Sequence, residues 1–143
     1  TGGKLTTYRS MAAEVVDAVQ KALRQKVTGA PTDSVELPGA DREEEIARLQ
    51  REDAKLSTPL VEGLPYTGAH LVYGVSKELA VDLSDLPLRR THLAFETRDH
   101  GKSVAPLAAD FVASRLGWDA ATKSARVRGF EQDIGRIFAI SAQ

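Results

Sequence analysis

Apolar residues recur at three- and four-residue steps along most of this chain, and no sustained period-two run competes with them. Tyr8, Met11, Ala12, Val15, Val16, Val19, Ala22 and Leu23 fall on one face of a helix of period near 3.6. Thr6 or Thr7 offers a hydroxyl to cap its start, and Thr28-Gly29-Ala30-Pro31 is expected to stop it. The next ten residues carry three turn formers, Pro31, Pro38 and Gly39, and read as a linker. Asp41 is placed to cap a highly charged helix from Arg42 to about Lys55. Its apolar line is thin (Ile46 and Leu49, more weakly Ala54 and Leu56), as on a helix that lies on the surface.

Further along, residues 57–66 contain Pro59, Gly63 and Pro65 and read as loop. A third helix is expected from Thr67 to Val75, with Ala69, Val72 and Tyr73 facing inward. Leu79-Ala80-Val81-Asp82-Leu83 alternates, but it is short and lacks a partner, so it reads as an extended connector or helix end. Ser84 is expected to cap a helix from Asp85 to Leu93, with Pro87 in the first turn, where no intrahelical N–H partner is needed. A fifth helix, Lys102 to Leu116, carries Val104, Leu107, Ala108, Phe111, Val112 and Leu116 and ends on Gly117. Trp118 reads as a core plug. Asp119 then caps a last helix to about Ala139, on which Val127, Phe130, Ile134 and Ile137 share a face. The expected fold class is all-α, a compact bundle-like array of about six helices.

The length of 143 residues suits one compact domain, which would bury roughly two-thirds of its unfolded surface. With no cysteine there is neither a disulfide framework nor a thiolate metal site. A net charge of −1 argues against a nucleic-acid partner. No apolar run approaches the roughly 20 residues that span a bilayer, and no signal-peptide pattern is visible.

The inventory for independent catalysis is thin. His70, His92 and His100 show neither His-x-x-x-His nor Glu-x-x-His spacing, so no metal site is expected. No Gly-x-Ser-x-Gly elbow, phosphate-binding loop or Gly-x-Gly-x-x-Gly fingerprint occurs. Two segments remain chemically suggestive. In Gly2-Gly3-Lys4-Leu5-Thr6-Thr7 the glycines admit close backbone approach. The following helix start presents free N–H groups and partial positive charge, and Lys4 adds a full one. Such a turn holds an anion or the electron-rich edge of a flavin; equally, Gly-Gly is a turn and Thr-Thr a cap. Arg89-Arg90 would clamp a phosphate, or form a helix C-terminus paired with Glu78 or Asp85. Glu43-Glu44-Glu45 reads as a solvated face. A domain rarely begins on a strand-to-helix turn, so the chain is expected to be a piece of a longer protein.

The segment Thr1-Gly2-Gly3-Lys4-Leu5-Thr6-Thr7-Tyr8-Arg9-Ser10-Met11-Ala12 resembles the end of the FAD domain of aerobic, FAD-dependent glycerol-3-phosphate dehydrogenases. Further on, Leu64-Pro65-Tyr66, then Val72-Tyr73-x-Val75-x-x-Glu78-x-Ala80, Leu83-x-Asp85, Arg89-Arg90-Thr91 and Leu116-Gly117-Trp118-Asp119 are similar, in order and spacing, to that family's helical C-terminal domain. The likeness runs over nearly the whole chain. Pro87-Leu88 departs from a usual valine-leucine pair, and Ser76 stands where arginine is common, so no role is carried to position 76.

The resemblance implies the cap domain of a larger flavoenzyme that oxidises sn-glycerol 3-phosphate to dihydroxyacetone phosphate. Hydride would pass to FAD and electrons onward to a quinone. The family is commonly dimeric, cytoplasmic and peripheral at the cytoplasmic membrane. Lys4 matches the family lysine beside flavin and substrate; Gly3, Leu5 and Thr6 match the turn whose backbone contacts the flavin ring. The dinucleotide fingerprint and the substrate-binding arginine and histidine have no counterpart here. The chain alone is therefore expected to have no catalytic residue set, to bind no FAD or metal, and to be structural and inactive. Residues 1–27 would end the FAD domain motif and run into the first helix, 28–40 would be linker, and 41–143 the helical C-terminal domain. Two alternatives stay open: a non-catalytic helical interaction module, and the cap of a glycerol-3-phosphate oxidase.

Overall fold

The computed structural model describes residues 3–29 and 32–139. The chain divides into two units, Thr1–Ala40 and Asp41–Gln143. Among the described residues all regular structure is helical, apart from one isolated antiparallel bridge, Pro59 to Thr67. The all-α expectation therefore holds.

In the first unit a 3₁₀ turn, Leu5–Thr7, runs directly into α1, Tyr8–Ala22. The expected threonine cap does not form. Thr7 Oγ1 donates back to the Lys4 carbonyl (2.9 Å), so the hydroxyl closes the 3₁₀ turn instead of accepting from the helix. The helix also stops earlier than the Thr28–Pro31 punctuation suggested. Arg24 adopts a left-handed conformation (φ 54°). Its N–H returns to Lys21 O (3.0 Å), and that of Gln25 to Gln20 O (2.8 Å). That pair of bonds is a Schellman stop built on arginine instead of glycine. Ala30 and Pro31 lie outside the described residues. No residue of α1 is buried: Tyr8, Val15, Val16, Val19 and Leu23 are each at least half exposed.

In the second unit α2 spans Arg42–Glu52 and a 3₁₀ turn follows at Ala54–Ser57. Asp41 does not cap α2 with its side chain; its carbonyl accepts the Glu45 N–H instead. As the thin apolar line predicted, α2 buries Ile46 alone. The buried helix is α3, Gly68–Lys77, on which seven successive residues from Gly68 to Gly74 are inaccessible. Ala69, Val72 and Tyr73 pack with Ile46 and Leu56. Leu71 joins a larger cluster with Leu83, Leu86, Leu93, Val112, Phe130 and Ile134. Phe111 packs against both clusters.

The expected fourth helix is replaced by a π-helical turn, Leu86–Arg90, and a single-turn α4, Leu93–Glu96. Ser84 does not cap it. Its hydroxyl donates to Asp133 (2.7 Å) across the fold, and Asp85 takes the local work by accepting the Val81 and Asp82 N–H groups, each at 3.0 Å. Pro87, in the first turn, needs no acceptor for an N–H it lacks. α5, Ala105–Leu116, follows a 3₁₀ turn and ends on Gly117 (φ 67°). Asp119 caps α6, Ala120–Ile137, by accepting the Thr122 N–H at 2.7 Å, as its sequence position predicts. α3 packs on α5 and α5 on α6. Phe130, fully buried at their centre, contributes roughly 1.5–3 kcal/mol by leaving water.

Candidate functional site

Gly3, Lys4, Leu5 and Thr6 occupy consecutive positions on one exposed turn. Lys4 is extended (φ −73°, ψ 144°) and its carbonyl accepts both the N–H and the hydroxyl of Thr7, each at 2.9 Å. Those two hydrogen bonds to one oxygen fix the direction in which the turn enters α1. A Cβ on Gly3 would lie 2.5 Å from Sδ of the flexible, exposed Met11 side chain, which would have to swing aside. The turn and the first two turns of α1 enclose an open, mainly apolar concavity of about 570 Å³, lined by Lys4, Leu5, Tyr8, Met11 and Val15 among others. One cation, the N–H end of a helix and an apolar wall suit one edge of a flat, electron-rich ring. They do not enclose one.

The other sequence candidates resolve differently. Arg89 and Arg90 point apart: Arg89 pairs with Asp85 (2.9 Å), while Arg90 Nε donates to the Glu78 carbonyl (2.8 Å). They form no clamp, and the reading of a helix end paired with Glu78 and Asp85 is the one the structure supports. Glu78 also meets Arg42 Nε at 3.4 Å, and Arg42 reaches the Arg90 carbonyl at 3.3 Å. This Arg42–Glu78–Arg90 tie joins the start of α2 to the end of α3, and sequence reading missed it because Arg42 lies 36 residues away from Glu78. Glu43 and Glu44 are exposed, whereas Glu45 pairs with Arg48 and Lys77. Trp118 is half-buried against the core under the Arg126 guanidinium, 5.7 Å from its ring centroid.

The three histidines stand apart in role. His100 stacks on Phe138 (3.9 Å between centroids) and bonds the Ala94 carbonyl. His92 is exposed. His70 is buried on α3 and accepts the Thr67 N–H at Nδ1, 3.1 Å. Burial, and then the positive charge of Arg42, hold its pKa below the ordinary value of 6.5. The signal for this role was present as Thr-x-x-His, a capping box with histidine in place of Glu or Gln. Among the described residues no His, Asp or Glu group is arranged to hold a metal ion. No helix among them is long and apolar enough to cross a membrane.

The family described as the C-terminal domain of alpha-glycerophosphate oxidase matches residues 39–123, more than half of the chain. The chain belongs to that family. Similar relatives carry dehydrogenase names. Glycerol-3-phosphate dehydrogenase 2 of Mycobacterium bovis is 30% identical over 84% of this chain and 26% of its own length. Glycerol-3-phosphate dehydrogenase of Mycobacterium leprae is 32% identical over 88% and 28%. The mitochondrial glycerol-3-phosphate dehydrogenase of Bos taurus is 28% identical over 85% and 21%. The chain thus spans about a quarter of the length of these relatives. No solved structure matches. The domain's matched part begins two residues before Asp41, where the second unit starts.

Proposed function

We propose that this chain is the C-terminal part of an oxidoreductase that uses FAD to oxidise sn-glycerol 3-phosphate to dihydroxyacetone phosphate and passes the electrons to a quinone. By itself the chain is a structural piece without activity. The observation that carries this reading is the match to glycerol-3-phosphate dehydrogenases over four-fifths of this chain but only about a quarter of theirs. The remaining length is where a flavin and substrate domain would reside. The bare apolar face of α1 supports the reading, because an amphipathic helix normally buries such a stripe. Residues 1–27 then close the FAD domain, 28–40 link, and 41–143 form the helical cap. The whole enzyme would be cytoplasmic, dimeric and peripheral at the membrane.

Bound flavin would supply the acceptor for the hydride leaving C2 of the substrate. Gly3, Lys4, Leu5 and Thr6 would hold one edge of it. The turn's backbone would lie against the ring, made close by the missing side chain at Gly3. The Lys4 ammonium would stabilise negative charge on ring and substrate phosphate.

The test uses the longer polypeptide that carries this chain. It should purify with FAD and reduce a soluble quinone analogue on addition of glycerol 3-phosphate. Lys4→Met should lower turnover by about 10²-fold, the scale for removing one preorganised electrostatic group. Lys4→Arg should restore part of the loss. Absence of flavin from that polypeptide, or full activity in Lys4→Met, would overturn the respective half of the proposal. The family's own description favours a second reading, an oxidase; hydrogen peroxide formed in step with substrate in air, without quinone, would select it.

A further inference from the structure

We infer that His70 is an acid-sensitive catch on the N-terminus of α3: protonation at Nδ1 takes the acceptor away from the Thr67 amide and opens the junction of α3 with α2 and the 58–67 loop. The argument begins with the bond itself. A backbone N–H can only donate, so Nδ1, 3.1 Å from Thr67 N, carries the lone pair and the proton of the neutral ring sits on Nε2. This cap differs from the usual carboxylate or hydroxyl cap in one respect: its acceptor is lost on taking up a proton near neutral pH.

Thr67 is the knot of the junction. Its hydroxyl accepts from Gln50 Nε2 of α2 at 3.1 Å. Its backbone bridges to Pro59, and the neighbouring Gly68 N–H reaches the Thr58 carbonyl at 3.2 Å. Gly68 in turn lies against the Phe111 ring of α5. An imidazolium at position 70 would keep a partner only by donating to Thr67 Oγ1, 3.1 Å away, and the Thr67 N–H would be left without an acceptor.

The surroundings oppose the proton. His70 is only 8% exposed. From α2, Arg42 disfavours the charged form and Glu43 favours it more weakly; from the loop, Tyr66 meets the ring edge-on at 5.9 Å between centroids. The folded pKa thus lies below the unfolded value near 6.5. A group of this kind contributes its stability in full above the unfolded value and loses it as pH falls toward the folded one. In that window one extra proton enters the open state, so the opening constant rises by up to about tenfold per pH unit.

Hydrogen exchange on the 143-residue chain, followed by NMR from about pH 7.5 down to about pH 5, tests this. Protection factors, corrected for intrinsic exchange, should fall by up to about tenfold per unit at Thr67, Leu71 and Val72. Phe130 and Ile134, which lie outside the junction, should stay better protected than these amides at every pH. His70→Asn, whose Oδ1 takes the place of Nδ1 and does not titrate, should flatten the profile, and His92→Asn should leave it as in the parent. A flat profile in the parent, an unchanged slope in His70→Asn, or protection at Thr67 no lower than at Phe130 would overturn the inference. Should His70→Asn not fold, ring nitrogen shifts in the parent decide: Nδ1 protonated at neutral pH overturns the catch, and Nδ1 unprotonated sustains it.

Discussion

The same substitution, glycine to alanine, should change stability in opposite directions at two helical sites of this domain. Gly68 is the first residue of α3. A Cβ built on it lies 2.7, 2.8 and 2.9 Å from Cε1, Cζ and Cδ1 of Phe111. Carbon atoms prefer about 3.5–4.0 Å, so the ring must retreat by close to an ångström. Phe111 cannot do so freely, because it packs on both core clusters. Overpacking of this kind costs about 1–3 kcal/mol, against a gain of at most about 0.5–1 kcal/mol from removing glycine's backbone freedom. Gly68→Ala should therefore destabilise by up to about 2.5 kcal/mol, the two ranges differing by about 0–2.5 kcal/mol. Gly129 sits in the interior of α6, half-buried, with nothing within 4 Å of an added Cβ. Gly129→Ala keeps only the favourable contribution and should stabilise by about 0.5–1 kcal/mol. For a unit near 100 residues, 1 kcal/mol corresponds to a Tm shift of about 4–8 °C. Thermal and urea unfolding followed by circular dichroism resolves both signs. Phe111→Leu should shrink the Gly68→Ala penalty, since it removes the ring atoms that clash. If Gly68→Ala raises Tm as Gly129→Ala does, or if Phe111→Leu leaves the penalty intact, the close approach of α3 and α5 does not decide the sign.

Leu79 is left-handed (φ 58°) and 84% exposed, so Leu79→Gly should stabilise by about 1 kcal/mol by relieving the side-chain clash, read as a rise in Tm. Phe130→Ala should cost about 3–5 kcal/mol, most of the stability of an ordinary domain, and show as loss of a cooperative melt. Asp85→Ala leaves the Val81 and Asp82 N–H groups without their acceptor and should cost about 1–3 kcal/mol. Burial raises the Asp85 pKa, but those two backbone bonds together with Arg89 and Arg90 outweigh it and hold the value below 3.8. The contribution is therefore complete above that pH and fades as pH falls below it, so the parent and Asp85→Ala should converge in urea midpoint under strongly acid conditions.

The helices were legible where periodicity and a self-contained cap coincide. Asp119 reaches an N–H three residues on, and Gly117 sets its own φ, so α6 and the end of α5 begin and stop where the residues say. The fourth helix was not legible because its signal, Ser84, finds a stronger partner 49 residues away in Asp133. Residues 86–90 then wind as a π-turn whose arginines are drawn to Asp85 and Glu78. The end of α1 was missed for a related reason. Two returning backbone bonds stabilise a left-handed Arg24, and no residue type announces that in advance.

Chemistry-bearing residues obey the same rule, and this separates the two candidate sites. Arg89, Arg90, Arg42, Glu78 and His70 each already have a partner within the second unit. Those partners are a neighbour one helical turn away, a backbone group, or, for Arg42 and Glu78, each other across α2 and α3. Such groups hold the domain together, and an added ligand would have to displace them. The turn at Gly3–Thr6 is different in kind. Its internal bonds end on one carbonyl, that of Lys4, and its side chains and concavity stand open. An open turn followed by an apolar stripe left bare along α1 is best explained by something it meets outside these residues. The proposed flavin domain would cover both, and the Lys4→Met comparison is the measurement that separates a working edge from an ordinary turn.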